Sequence, residues 1–247
     1  MSSARTTAGG ALILGAGGLG CPAALALAAA GVTRIGVVDD DRVDPTNLHR
    51  QVLFADADVG APKVEAFARA LARRFPAVEV TAHAVRFEAG NALALVAAHD
   101  VIVDGTDNFA AKFLANDAAV LCGKPLVHGA AVGLGGQLLT VPARGRPCYR
   151  CLFEEPPPAG VGPSCAEAGV LGPVPGVIGA LLGAEAARLL KGESPAFVGR
   201  LVQYDSRSMS VRTVRYNPNP LCAVCGPAAR IRALSPADYP RVDCVTP

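Results

Sequence analysis

No sign of charge dominates this sequence of 247 residues: 23 Lys and Arg stand against 21 Asp and Glu, a formal net charge of +2. Without a global basic field, composition gives no ground for nucleic acid as a partner. No charged N-terminal segment followed by a short apolar run opens the chain, so no secretory leader is expected. No apolar run reaches the roughly 18 residues of a membrane span, which makes cytoplasmic localisation the expectation and a membrane partner not expected. No internal repeat is visible, so the chain is read as one unit. What is present is 51% hydrophobic and 18% charged residues, enough for one α/β domain with a sizeable core. The eight cysteines, in a reducing compartment, read as metal ligands or reactive thiols rather than disulfides.

The first half alternates apolar runs with helical spacings. Strands are expected at "ALIL" (11–14), "RIGVVD" (34–39), "VEVTAHAV" (78–85), "DVIVDGTDN" (100–108) and "KPLVHGA" (124–130). Between them, "CPAALALAAAGV", "APKVEAFARALARRF", "AGNALALVAAH" and "AAKFLANDAAVLCG" read as helices, with Pro62 near a first turn and Gly123 as a stop. This order predicts a Rossmann-like, doubly wound α/β fold with a mostly parallel sheet. The second half differs: "GGQLLTV", "FVGRLVQYDSR" and "SMSVRTVRY" read as antiparallel strands, and "VIGALLGAEAARLLKG" (177–192) as a helix. A Pro/Gly-rich stretch runs from Glu154 to Gly176, its part from Pro156 to Ser164 expected to be mobile, and residues 227–247 read as a loosely ordered tail.

"GAGGLG" (residues 15–20) lies where the first strand turns into the first helix. Gly15 permits the tight turn, Gly17 lets backbone approach a phosphate, and Gly20 allows close helix–strand packing. The motif does not say which nucleotide is bound. Asp39 lies about 24 residues beyond Gly15, near the place of a ribose-binding acid in dinucleotide folds. The following "DDDRVDPTNLHRQ" brings Asn47 and Arg50, and Lys63 follows; two cations and an amide suit a triphosphate better than a nicotinamide. Asp104 and Asp107 of "DGTDN" stand at the carboxyl end of an expected strand, where a carboxylate can hold Mg²⁺ beside phosphate oxygens. Two C-x-x-C pairs, Cys148/Cys151 and Cys222/Cys225, supply the four thiolates of a structural zinc; their long separation leaves a redox dithiol or coincidence open on spacing alone. Cys21 and Cys122 read as buried core thiols, His128 as a structural histidine, and His49 as a residue that could face the nucleotide.

"GAGGLGCP", "DDDRVDPTNLHRQ", "GAPKVE", "DGTDN", "CYRCLF", "SCAEAGVLGP" and "CAVC" occur in the order found in the ThiF/MoeB/HesA adenylyltransferases, which this sequence resembles from about Ala11 to Gly226. The resemblance implies an adenylation domain over 1–226, with an ATP-binding half (about 11–130) and a carrier-binding and zinc half (about 131–226). It implies Mg-ATP-dependent adenylation of the C-terminal glycine of a ubiquitin-like sulfur-carrier protein ending in Gly-Gly. Residues 15, 17, 18 and 20 (Gly15, Gly17, Gly18, Gly20) and Asp39 would then bind ATP, Asn47, Arg50 and Lys63 its phosphates, and Asp107 the magnesium. Cys165 matches the position of a cysteine that can bond to the activated carrier, and the two C-x-x-C pairs match a zinc site. A homodimer is implied too, although relatives carry a longer N-terminal arm with an arginine that reaches the partner's ATP. Here ten residues precede the expected first strand and Arg5 is their one arginine. The tail is too short for a rhodanese domain, so a separate sulfur donor protein is expected. The alternatives are a non-catalytic half of a heterodimeric activator and a relative acting on a peptide or a tRNA.

Overall fold

The computed structural model describes residues 7–156 and 169–240. Eight strands form one sheet: β1 (Thr7–Leu14), β2 (Val32–Val38), β3 (Glu79–His83), β4 (Val101–Asp104), β5 (Leu126–Val132), β6 (Gly135–Val141), β7 (Arg200–Asp205) and β8 (Ser210–Arg215). Their order is β3-β2-β1-β4-β5-β6-β7-β8. The first five strands pair in parallel and β5 to β8 pair antiparallel, as the two halves of the sequence predict. Among the described residues, five α-helices cover the sheet: α1 (Gly20–Ala29), α2 (Lys63–Arg74), α3 (Ala89–Ala97), α4 (Phe109–Cys122) and α5 (Pro173–Leu190).

Strand alternation divides the core in two. Ala11 and Ile13 of β1 face a layer containing Leu27 of α1, Phe67 of α2 and Leu182 of α5, while Leu12 and Leu14 face one containing Val96 of α3 and Phe113 of α4. The parallel register puts Leu14 opposite both Val38 and Asp104, so β1, β2 and β4 end at one level. The chain crosses from one side of β1 to the other here, and such a switch point opens a crevice at the carboxyl ends of the strands.

Glycine allows the approach of α1 to this crevice. A Cβ on Gly20 would lie 1.9 Å from the Gly15 carbonyl oxygen, and Gly15 itself has a φ of +90°. Gly20→Ala is therefore expected to cost about 3 kcal/mol of stability, the upper range for overpacking. Gly17→Ala meets nothing nearer than 3.8 Å and is expected to cost less than about 1 kcal/mol. Urea denaturation of the two variants measures the difference.

Three expectations are corrected. Strand β1 begins at Thr7, four residues before "ALIL", because residues 7–10 continue the pairing with β2 through an irregular register. Helix α5 begins at Pro173, inside the expected loop, because proline fits the first helical position. So extended, α5 spans 18 residues and has the length and mean hydropathy of a membrane span, but Glu185 and Arg188 interrupt its apolar run. Half of it is buried, against α1 and the sheet: a Cβ on Gly179 or Gly183 would lie 2.3 Å from the Leu19 or Ala23 carbonyl oxygen. Finally, residues 227–240 are irregular but held, because the Tyr239 hydroxyl donates to buried Asp117 at 2.8 Å.

Candidate active site

The glycine turn is fastened to the end of β2. The Gly15 amide donates to the Val38 carbonyl (2.9 Å) and the Ala16 amide to Oδ2 of Asp39 (2.7 Å), while Asp39 Oδ1 accepts from the Asp41 amide (2.9 Å). Burial raises the pKa of Asp39, against the opposing pull of Lys63. Lys63 opens α2 with its side chain buried, and its Nζ donates to Asp41 Oδ2 at 2.6 Å. Asp41 was passed over in the sequence because it is one of three consecutive acids.

Asn47 and Arg50 sit on a short turn that Asp44 caps by accepting from the Thr46 amide. Arg50 donates through Nη2 to Oδ1 of Asn47, and its Nη1 lies 3.4 Å from His49 Nε2. The stem of Arg50 runs close to the glycine turn, since a Cβ on Gly18 would be 3.4 Å from its Cγ and 3.2 Å from Pro175 of α5. Beside it, Gln51 is 3% exposed and its Oε1 has no hydrogen-bond partner. Sequence reasoning missed Gln51, whose only signal was its place next to Arg50. A glycine turn with room over Gly17, flanked by a guanidinium, a buried ammonium and an unsatisfied amide, fits a phosphate-bearing ligand.

The two acids of "DGTDN" part company. Asp107 is exposed, next to Asn108, which caps α4 by accepting from the Ala111 amide (2.8 Å). Asp104 is fully buried, and both its oxygens are engaged within the protein. Its Oδ1 accepts from the Thr106 amide (2.9 Å) and hydroxyl (2.7 Å), and its Oδ2 lies 2.6 Å from His128 Nδ1. Lys112 Nζ stands 3.7 Å from Asp104 and donates to the carbonyls of Thr106 (2.6 Å) and Gly129 (2.7 Å). Lys112 was hidden in the sequence as one cation on a helix.

Burial alone would raise the pKa of Asp104, but Lys112, then His128 and Thr106, outweigh it and hold the carboxyl well below its usual range. The carboxylate can only accept, so His128 donates through Nδ1. Burial, then Lys112, push the His128 pKa down, which keeps its ring neutral. Both groups bind protons more readily in the unfolded chain, so both favour folding at neutral pH and lose that contribution on acidification. Stability is expected to fall first as pH drops below about 6.5, and again below about 4, the unperturbed histidine and aspartate values. Urea midpoints measured across this range, against those of His128→Asn and Asp104→Asn, check the two steps.

The four paired cysteines meet. Their sulfurs lie within 4.8 Å of one another, with Cys148–Cys151 at 3.9 Å, Cys148–Cys222 at 3.5 Å and Cys151–Cys225 at 3.4 Å. A tetrahedral Zn–S bond of about 2.3 Å requires sulfurs about 3.8 Å apart, so these spacings fit one ion, whereas a disulfide would bring two sulfurs to about 2.05 Å. The segment is anchored from behind: Asn116 Oδ1 accepts from the Tyr149 amide (2.8 Å), and Arg150 pairs with buried Asp117 through Nε and Nη2, both 2.8 Å from the nearer oxygen. Of the other thiols, Cys21 is buried in the core, and burial pushes its pKa up to about 12. Cys122 is half-buried rather than buried. Arg5, Cys165 and Cys244 lie outside the described residues.

The profile of the ThiF family matches residues 4–224. The chain is 47% identical over 233 residues to the sulfur carrier protein adenylyltransferase of Thermus thermophilus, covering 92% of this chain and 85% of that one. It is 45% identical over 228 residues to the SAMP-activating enzyme E1 of Haloferax volcanii, covering 92% and 84%. To the adenylyltransferase and sulfurtransferase MOCS3 of Anopheles gambiae it is 46% identical over 224 residues; that match covers 90% of this chain but only 51% of MOCS3. Among solved structures, E. coli MccB crystallised with AMPCPP and MccA superposes with a TM-score of 0.76 at 26% identity, over 89% of this chain and 67% of that one. The family profile covers most of the chain, and the fold and glycine turn agree with it: this protein belongs to the ThiF family.

Proposed function

We propose that this protein uses ATP to adenylate the C-terminal glycine of a small ubiquitin-like sulfur-carrier protein, releasing pyrophosphate. The observation that carries this reading is the gathering of the glycine turn, Arg50, Asn47 and Lys63 around the carboxyl ends of adjacent parallel strands, in a chain 47% identical to a sulfur carrier protein adenylyltransferase. The nucleophile is the carrier's C-terminal carboxylate, which is ionised at neutral pH and needs no general base. The barrier is repulsion between that anion and the triphosphate. Arg50 and Lys63 lower it by holding positive charge beside the phosphates, Asn47 by orienting Arg50, and Asp39 by fixing the turn and receiving the ribose. Mg²⁺, when bound, would neutralise phosphate charge, with Asp107 as the carboxylate that holds it.

The acyl-adenylate is then open to a sulfur nucleophile from a separate donor protein, with Cys165 as the candidate for a covalent step. The cysteine cage would hold Zn²⁺ in a structural role, since four thiolates leave no open position. The same reading includes a cytoplasmic homodimer and a division of labour between the ATP-binding half (11–130) and the carrier half (131–226).

ATP–pyrophosphate exchange, with and without small proteins ending in Gly-Gly, tests this function. Exchange that depends on such a carrier is expected; exchange supported by a peptide and by no carrier would reject the substrate. In the same assay Arg50→Ala is expected to cost about 10²-fold through lost charge stabilisation. Full activity in that variant would remove Arg50 from the site.

A further inference from the structure

The cysteine cage and the turn that carries Asp107 are joined by three side chains. Tyr149, between Cys148 and Cys151, lies with its ring centroid 4.4 Å from that of His128. His128 donates from Nδ1 to Asp104 Oδ2 at 2.6 Å. The other oxygen of Asp104 receives the amide and hydroxyl of Thr106, the residue before Asp107. All three linking side chains are buried, and the Phe153 ring packs against Tyr149 with centroids 4.9 Å apart and planes tilted by 41°. None of them can shift without displacing its neighbour.

Packing alone does not account for a histidine here. Its Nε2 is buried without a hydrogen-bond partner, a cost that an apolar side chain of similar size would avoid. What an apolar side chain could not supply is the Nδ1 donor on Asp104. We infer that His128 is a positioning residue that couples the cysteine cage to the Asp107 turn. Tyr149 fixes the ring, the ring fixes Asp104, and Asp104 fixes Thr106, so the exposed carboxylate of Asp107 is held from the metal side of the molecule. The link to magnesium rests on the adenylation reading above; the hold on the turn does not.

Full-length protein with its metal bound tests both parts. His128→Leu removes the donor, and His128→Asn restores one at the position of Nδ1. In His128→Leu, amide hydrogen exchange over residues 104–109 is expected to quicken by ~10-fold, and the Mg²⁺ concentration for half-maximal ATP binding to rise by ~10-fold, the range seen when a ligand's supporting hydrogen bond is removed. His128→Asn is expected to return both to within about threefold of wild type, a rescue that a purely space-filling role does not predict. Tyr149→Leu, which keeps the donor but frees the ring, is expected to quicken exchange over 104–109 with Cys148 and Cys151 intact. Unchanged exchange over 104–109 in His128→Leu, no rescue by His128→Asn, or no change in Tyr149→Leu would each overturn the coupling. Should His128→Leu fail to fold, Tyr149→Leu decides alone by the same criterion. If wild-type protein binds no ATP, the adenylation reading falls, and hydrogen exchange still decides whether His128 holds the turn.

Discussion

Asp107→Asn is expected to lower carrier-dependent ATP–pyrophosphate exchange by about 10³-fold, while the melting temperature stays within about 2 °C of wild type. The size follows from charge. A metal-bound phosphate gains several kcal/mol of charge stabilisation, and each 1.36 kcal/mol is tenfold in rate, so losing about 4 kcal/mol gives about 10³. An amide keeps the shape of the carboxylate but offers no negative charge to a hard cation. The fold should not notice, because Asp107 is exposed and the cap of α4 comes from Asn108. Raising Mg²⁺ should recover part of the loss. Wild-type exchange in this variant would take Asp107 out of the chemistry.

Cys222→Ser is expected to reduce bound metal from about one ion per chain to near zero and to lower the melting temperature by about 10 °C. A serine hydroxyl stays protonated at neutral pH, so the cage would be left with three thiolates around a gap. The effect on stability is large because the cage joins segments that are 74 positions apart. Cys148 and Cys151 follow β6, whereas Cys222 and Cys225 follow β8. Without the ion, the three remaining sulfurs of a cluster packed within 4.8 Å have no shared partner, and the segment after β8 loses its metal tie to the segment after β6. Cys122→Ser, which touches no part of the cage, should keep its metal. Metal-free wild-type protein with an unchanged melting temperature would reject the site.

Local patterns in the sequence were enough for much of this. Runs such as "DVIV" and "LVHGA" read as strands because both faces are buried, and "GAGGLG" could be placed because a strand and a helix flank it. The paired cysteines were legible as a set because thiols are few and regularly spaced. What escaped were partnerships made across the fold. Asp104 and Asp107 look alike in "DGTDN", yet Asp104 is buried and Asp107 exposed, a difference made by Lys112 and His128 from other elements. Lys63 was legible as a cation, but its partner Asp41 is two residues beyond the acid that the motif singles out. The start of α5 was hidden by two prolines and a glycine that the helix accommodates in its first turn.

The partners of Asp117 arrive at very different times as the chain is made. Arg150 follows it by 33 positions and Tyr239 by 122. At about 5–20 residues per second, the tyrosine emerges roughly 6–25 s after the aspartate it will cover. Through that interval α4 can dock on the sheet with Lys112 beside Asp104 and with Arg150 on Asp117, while the place of the tyrosine hydroxyl on Asp117 Oδ2 is still unfilled. The final covering of α4 is thus a late event in biosynthesis, and a chain stalled before Tyr239 would leave Asp117 without its hydroxyl partner.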